Sequence, residues 1–369
     1  MVRSQEGTKG SNVGTLNQYL KLVVQQGGSD LHLKVGHPPV IRVHGELLPA
    51  EATVLKAADT DRIAREIMPA SVVATFESTG GADFAHYVKD LGRFRVNVFR
   101  QNGVVGAVFR YVLPAPSKFD VLNLPPAVPR IASEPRGLIL VCGPTGSGKT
   151  TTCAAMIDHI NTSRACNIVS LEDPIEILHT DKLALVNQRE IGSDAESFQV
   201  GLRHAMRQDP DVIFIGEMRD VETVWAALAA SETGHLVIST LHTIDAMETV
   251  NRIVEFFPEE RHRQVRHSLA SALRGIIAQR LLPRKDGKGL IPAVEVLVTN
   301  GRVHEAILDP AETRTIPDII AEGEFYGMQT FDQALLKMYE DGMVSLEDAL
   351  NGASNPHDLH LAMRKAGVA

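Results

Sequence analysis

The chain has 369 residues, enough for two ordinary domains, and its 44% hydrophobic and 22% charged residues describe a globular protein with a real core. A formal net charge of −8 argues against a protein that coats nucleic acid, and no run approaches the roughly 18 apolar residues that span a bilayer. Cys142, Cys153 and Cys166 form no CxxC pair and are too few for a metal framework, so a reducing compartment is the simpler reading.

Residues 1–13, rich in Gly, Ser and charge, read as a flexible arm and lack the apolar segment of a secretion signal. A helical pattern begins at Leu16 and leads into GGSDLHLKVGHPPVIRVHGEL, whose alternation around Pro and Gly predicts a short meander. Further on, GRFRVNVFRQNGVVGAVFRYV predicts two strands joined at Asn102-Gly103, residues that tolerate positive φ. Phe94, Val96 and Val98 share one face of the first strand, which displays Arg93, Arg95 and Asn97 on the other. Residues 14–113 are therefore expected to form a smaller α+β domain.

Five prolines between Pro114 and Pro129 predict a linker over 114–130, because no regular helix or central strand continues through them. From there to the end, 131–369, the texture changes. GLILVCG, CNIVSLED, DVIFIGE and HLVISTLH are apolar without alternation and are separated by helical segments, the pattern of a parallel sheet covered on both faces. The larger domain is expected to be α/β and to end in a small helical region, with Phe331, Leu335 and Tyr339 on one helix face.

GPTGSGKT satisfies G-x-x-x-x-G-K-[ST] directly after a buried strand and at the opening of a helix. Gly143, Pro144, Thr145, Gly146, Ser147, Gly148, Lys149, Thr150 and Thr151 are the expected nucleotide-binding residues. Backbone amides and the helix N-terminus face the phosphates, Lys149 reaches the β and γ groups, and the Thr150 hydroxyl can ligate magnesium. ATP and Mg2+ are the implied cofactors. Parallel sheets bind ligands at the carboxyl ends of their strands, and three strand ends there deliver Glu172 with Asp173, then Glu217, then His242. Glu217, the only acid at its strand tip, is assigned to the attacking water. Magnesium is assigned to Thr150 and Glu172, directly or through water, and His242 to sensing the γ phosphate. The residue before Glu217 is Gly216, where many ATPases place a second acid.

Taken together, GPTGSGKTT, SLEDPIE, RQDPDVIFIGEMRD and TGHLVISTLHT resemble the Walker A, Asp box, atypical Walker B and His box of the secretion and type IV pilus ATPases, and most of all those of PilT/PilU-type twitching motors. SDLHLKVGHPP near the start and GMQTFDQAL near the end extend the likeness over nearly the whole chain. The resemblance implies a PAS-like domain followed by a RecA-like P-loop ATPase domain, assembled as a homohexamer. It also implies catalytic roles for Glu217, Glu172, His235 and His242, with Arg95 and Arg110 as cations that approach the phosphates. A glycine before the glutamate is usual in that family. The implied partner is an inner-membrane pilus platform protein, with a paralogous pilus ATPase as a second, and the implied location is the cytoplasmic face of the membrane. The expected function is pilus retraction. The alternatives are a pilus assembly or type II secretion motor, an accessory PilU-like motor, and a nucleotide-gated adaptor without turnover.

Overall fold

A computed structural model of the protein describes residues 15–43, 45–114 and 119–367, so the expected arm at 1–13 and part of the expected linker lie outside the described residues. The described chain divides into two compact units, one ending at Leu113 and one starting at Pro114.

The first unit is α+β. Helix α1 (Leu16–Gln25) buries Leu16, Tyr19, Leu20 and Val23, the i, i+3, i+4, i+7 stripe of a one-sided helix. Strands β1 (Gly28–Leu33), β2 (Val40–Val43) and β3 (Glu46–Pro49) make the meander, helices α2 (Ala57–Ile67) and α3 (Ala70–Thr79) follow, and β4 (Gly81–Val88), β5 (Gly92–Gln101) and β6 (Val104–Tyr111) complete the unit. The sheet runs β3-β2-β1-β6-β5-β4 and is antiparallel at each pairing. Asn102 and Gly103 both take positive φ, 50° and 79°, and Gln101 faces Val104, so β5 and β6 close through a two-residue hairpin. Phe94, Val96 and Val98 are sunk in the core, and Arg95 lies directly opposite Arg110.

The first α-helix of the second unit, α4 (Ala127–Ala132), begins inside the stretch expected to be a linker. Pro129 sits in its first turn, where no backbone N–H is needed, and Val128 and Ile131 enter the core. The proline count alone hid this helix. In chain order follow β7 (Gly137–Cys142), α5 (Lys149–Ser163), β8 (Asn167–Glu172), β9 (Leu185–Glu190), α6 (Phe198–Ala205), β10 (Val212–Ile215), α7 (Val221–Glu232), β11 (Leu236–Leu241), α8 (Ala246–Glu255), α9 (His262–Ala272), β12 (Leu273–Pro283) and β13 (Leu290–Val298). Their sheet has the order β9-β8-β10-β11-β7-β12-β13, parallel except for the antiparallel edge strand β13.

Both faces of this sheet are covered. Leu138, Leu140 and Cys142 pack with residues of α7, α8 and α9, whereas Ile139 and Val141 pack with α4 and α5. That two-sided burial is why the strands lack a polar alternation. After β13 come α10 (Gly301–Leu308), α11 (Ile316–Ala321), α12 (Phe331–Glu340), α13 (Leu346–Gly352) and α14 (Pro356–Lys365). Phe331 and Leu335 are fully buried and Tyr339 packs beside them, the face expected from their spacing.

Candidate active site

Every residue of β7 is buried, and the chain leaves it through residues 143–148 to begin α5 at Lys149. Gly143 takes φ +144°, and a Cβ there would stand 2.4 Å from the Gln279 carbonyl oxygen and 2.5 Å from Ser147 Oγ. Only glycine fits this first bend. Lys149 is buried, and its Nζ donates to the carbonyl oxygens of Gly143 (2.7 Å) and Pro144 (3.0 Å), so the ammonium is seated within the loop's own curve. Burial pushes its pKa below the ordinary lysine value, while the nearby charges of Glu217 and Glu176 push the other way. The Ser147 hydroxyl is buried without a hydrogen-bond partner among the described residues, and the first-turn amides of α5 have no acceptor one turn back. Unfilled donors around a buried cation suit a phosphate chain.

Glu172 closes β8 and is buried, with Oε1 accepting from Ser170 Oγ (2.6 Å) and from Gln188 Nε2 (3.0 Å). Its charge is felt at Cys153, one turn along α5 from Thr150, where burial pushes the thiol up to about 12. On the next strand, Gly216 N donates to the Leu171 carbonyl (2.8 Å), Thr240 Oγ1 donates to the Gly216 carbonyl (2.6 Å), and Met218 N donates to the Thr240 carbonyl (3.1 Å). The turn that carries Glu217 is therefore tied to β8 on one side and to β11 on the other. The Glu217 side chain is 13% exposed; His242 Nε2 lies 3.4 Å from its Oε2, and the Arg219 guanidinium is in contact with its Oε1. Asp220, the next acid along, accepts from Thr223 N (2.7 Å) and caps α7.

His242, assigned from the sequence to the γ phosphate, stands 3.4 Å from Glu217. The two histidines of the His box do not come together. Leu236 pairs with Gly137 and Leu241 with Cys142, so the phosphate loop and His242 share the carboxyl end of the sheet, while His235 stands at the opposite end, about 23 Å away at the usual strand rise. There its Nδ1 lies 2.9 Å from the Ala230 carbonyl oxygen at the end of α7. Arg95 and Arg110 belong to the first unit. Arg110 Nε donates to Asp30 Oδ1 (2.8 Å) and Arg42 Nε lies 3.8 Å from Asp30 Oδ2, so this arginine has a buried counter-charge within its own sheet. Burial works to raise the Asp30 pKa, but the Ser29 hydroxyl and the Arg110 guanidinium outweigh it and hold the carboxyl below its usual range.

Sequence reading passed over Arg219, Ser170 and Gln188. Arg219 stood in plain view two residues after Glu217, but an arginine in a strand-end turn ordinarily points to solvent. Gln188 reaches Glu172 only through the pairing of β9 with β8, which sequence spacing does not reveal.

Among the described residues no three His, Cys, Asp or Glu side chains converge into a metal cage. A magnesium ion here would need phosphate oxygens and water in addition to Thr150 and one carboxylate, a donor set that suits an ion reluctant to shed its waters. Glu172, a buried carboxylate at a strand end on the carboxyl side of the sheet, is a residue type that fits that role.

A mainly parallel sheet whose phosphate loop opens a helix, with a buried carboxylate and a histidine-braced glutamate at adjacent strand ends, defines a RecA-like P-loop ATPase fold. Within that class, residues 122–306 match the type II/IV secretion system protein family, and the chain belongs to it. The chain is 39% identical over 345 residues to the type IV pilus ATPase PilU of Pseudomonas aeruginosa, covering 94% of this chain and 90% of that one. It is 40% identical over 343 residues to the type IV pilus retraction ATPase PilT of the same organism, covering 93% and 99%. A crystal structure of the pilus retraction motor PilT with bound ADP superposes with a TM-score of 0.86 at 42% identity, covering 94% of this chain and 99% of that one.

Proposed function

We propose that this chain is an ATP-hydrolysing motor for type IV pilus retraction, working as a ring of six copies on a platform protein at the cytoplasmic face of the inner membrane. The observation that carries the reading is Glu217, fixed in a turn bonded to both neighbouring strands and engaged at its two oxygens by Arg219 and His242, with its charge reaching Lys149. In this reading Lys149 and the loop amides hold the β and γ phosphates, and Glu217 orients the water that attacks the terminal phosphorus. His242 and Arg219 keep the Glu217 carboxylate aimed. Magnesium, held by Thr150 with Glu172 directly or through water, offsets charge on the leaving phosphates. The roles of His235, Arg95 and Arg110, like the division into 14–113, a linker at 114–130 and 131–369, rest on the family resemblance. Relatives named for pilus retraction and twitching motility, matched over most of their length, support the retraction assignment.

The test is nucleotide binding and phosphate release for the full chain, wild type, Lys149→Ala and Glu217→Gln. Glu217→Gln is expected to bind ATP with wild-type affinity and to lose at least about 100-fold in turnover, and Lys149→Ala to lose both. Wild-type turnover in Glu217→Gln would overturn the motor reading. A second reading, an accessory motor, is favoured by the near-equal identity to PilU, 39%, and to PilT, 40%. Deleting the gene from its host separates the two: a principal motor leaves piliated cells unable to twitch, and an accessory one leaves twitching that weakens under load.

A further inference from the structure

Glu172 is held in a way that the assignment of acids to ATP hydrolysis does not require. Gln188 lies on β9 directly opposite Ser170 on β8, and the two side chains converge on the same carboxylate oxygen, Glu172 Oε1, at 3.0 and 2.6 Å. The Gln188 amide has no freedom to turn over. Its Nε2 also donates to the Ile177 carbonyl (2.9 Å), and its Oε1 accepts from the His179 backbone N–H (2.8 Å). One end thus faces two acceptors and the other a donor, a pattern that only an amide satisfies. The His179 ring takes no part as a cation, because burial pushes its pKa down to about 4. Glu190, opposite Glu172 in the ladder, has one oxygen engaged at 3.0 Å by Ile175 N. The backbone of 175–179, which follows Glu172 and includes Glu176, is therefore pinned to β9 at three points, two of them made by Gln188, the residue that also reaches Glu172.

We propose that Gln188 is a positioning residue for Glu172: its locked amide, together with the Ser170 hydroxyl, fixes the carboxylate that serves the metal–nucleotide complex and ties it to the 175–179 segment. This rests on the reading of the site as an ATPase. Two neutral donors on Oε1 leave that oxygen poorly suited to bind a metal directly, and Oε1 is the oxygen that Ser170 and Gln188 fix in place. Gln188 touches neither nucleotide nor metal in this scheme. Its effect passes through Glu172.

The test compares full-length wild type, Gln188→Leu and Ser170→Ala, the second keeping the proposal falsifiable if the first fails to fold. Two readouts are taken: the pH profile of kcat, and the affinity for a fluorescent ATP analogue in Mg2+ against the affinity in EDTA. Removing a donor from a buried carboxylate raises its affinity for protons, so the acid limb of the kcat profile is expected to move upward in both variants, with turnover near neutrality falling about 10- to 100-fold. Affinity in EDTA should stay within about twofold of wild type while the gain conferred by Mg2+ shrinks. A folded variant whose pH profile and Mg2+ dependence match wild type overturns the proposal. A wild type without turnover overturns the ATPase reading instead, so the two failures are distinguishable.

Discussion

Glu295 offers a test of how the sheet supports the site. It lies on β13 with 7% of its surface exposed, and its Oε1 accepts from Ala246 N (2.9 Å), the first amide of α8. That helix follows directly on the His242 strand end, and its N-cap, Asp245, accepts from Glu248 N (2.7 Å). Burial first, and then the charges of Asp245 and Asp332, raise the Glu295 carboxyl from 4.5 to about 7, against the Ala246 donor and the pull of Arg280. With the folded value above the unfolded one, the stability contributed by the bound proton is fully present below 4.5 and is lost as the pH rises through about 7. The gap between 4.5 and about 7, at about 1.4 kcal/mol for each tenfold in proton affinity, comes to roughly 3 kcal/mol. Glu295→Gln keeps an acceptor for Ala246 N and removes the titration. In urea unfolding the variant and wild type are expected to be close near the acid end of the window, with the variant pulling ahead by up to roughly 3 kcal/mol above neutrality. A stability difference that stays flat with pH, or that moves toward wild type, would refute the reasoning.

Two further substitutions probe the two units separately. Gly143→Ala places a methyl 2.4 Å from the Gln279 carbonyl oxygen at a positive φ, so the phosphate loop must shift, and ATP affinity measured by fluorescence titration should fall by at least about 100-fold with little loss of secondary structure by circular dichroism. Asp30→Asn leaves Arg110 and Arg42 without their shared counter-charge and should lower the stability of the first unit by about 1–2 kcal/mol at neutral pH. Because the Asp30 pKa is depressed, its contribution exists above the unfolded value of 3.8 and disappears as the pH falls through the folded one, so thermal melts of variant and wild type should converge in acid.

Much of the fold could be read from local pattern. The unalternating runs that became β7, β8, β10 and β11 announced a sheet buried on both sides, and Asn102-Gly103 announced its hairpin, because burial and positive φ act on residues close together in sequence. The phosphate loop was legible for the same reason. What escaped was set by pairing between distant segments. Gln188 reaches Glu172 only because β9 pairs with β8, whereas His235 and His242, at the start and end of one stiff strand, were already legible as standing at its opposite ends. Arg110, which the resemblance assigns to the phosphates, has Asp30 beside it through the β1–β6 register, a neighbour that sequence spacing does not reveal.

The pairing of β10 with β8 explains Gly216. The turn after β10 is bonded to the end of β8, and a Cβ at 216 would lie 3.4 Å from both Glu172 Cα and the Leu171 carbonyl oxygen. A methyl fits there in ordinary contact, but an aspartate would send its carboxylate across the strand end that Glu172 already occupies. An acid before the glutamate would thus stand beside the buried Glu172, and each would disfavour the ionised form of the other. Glycine at 216 and glutamate at 172 are two sides of one arrangement, in which the charge near the nucleotide comes from β8 and the turn after β10 is left to hold Glu217.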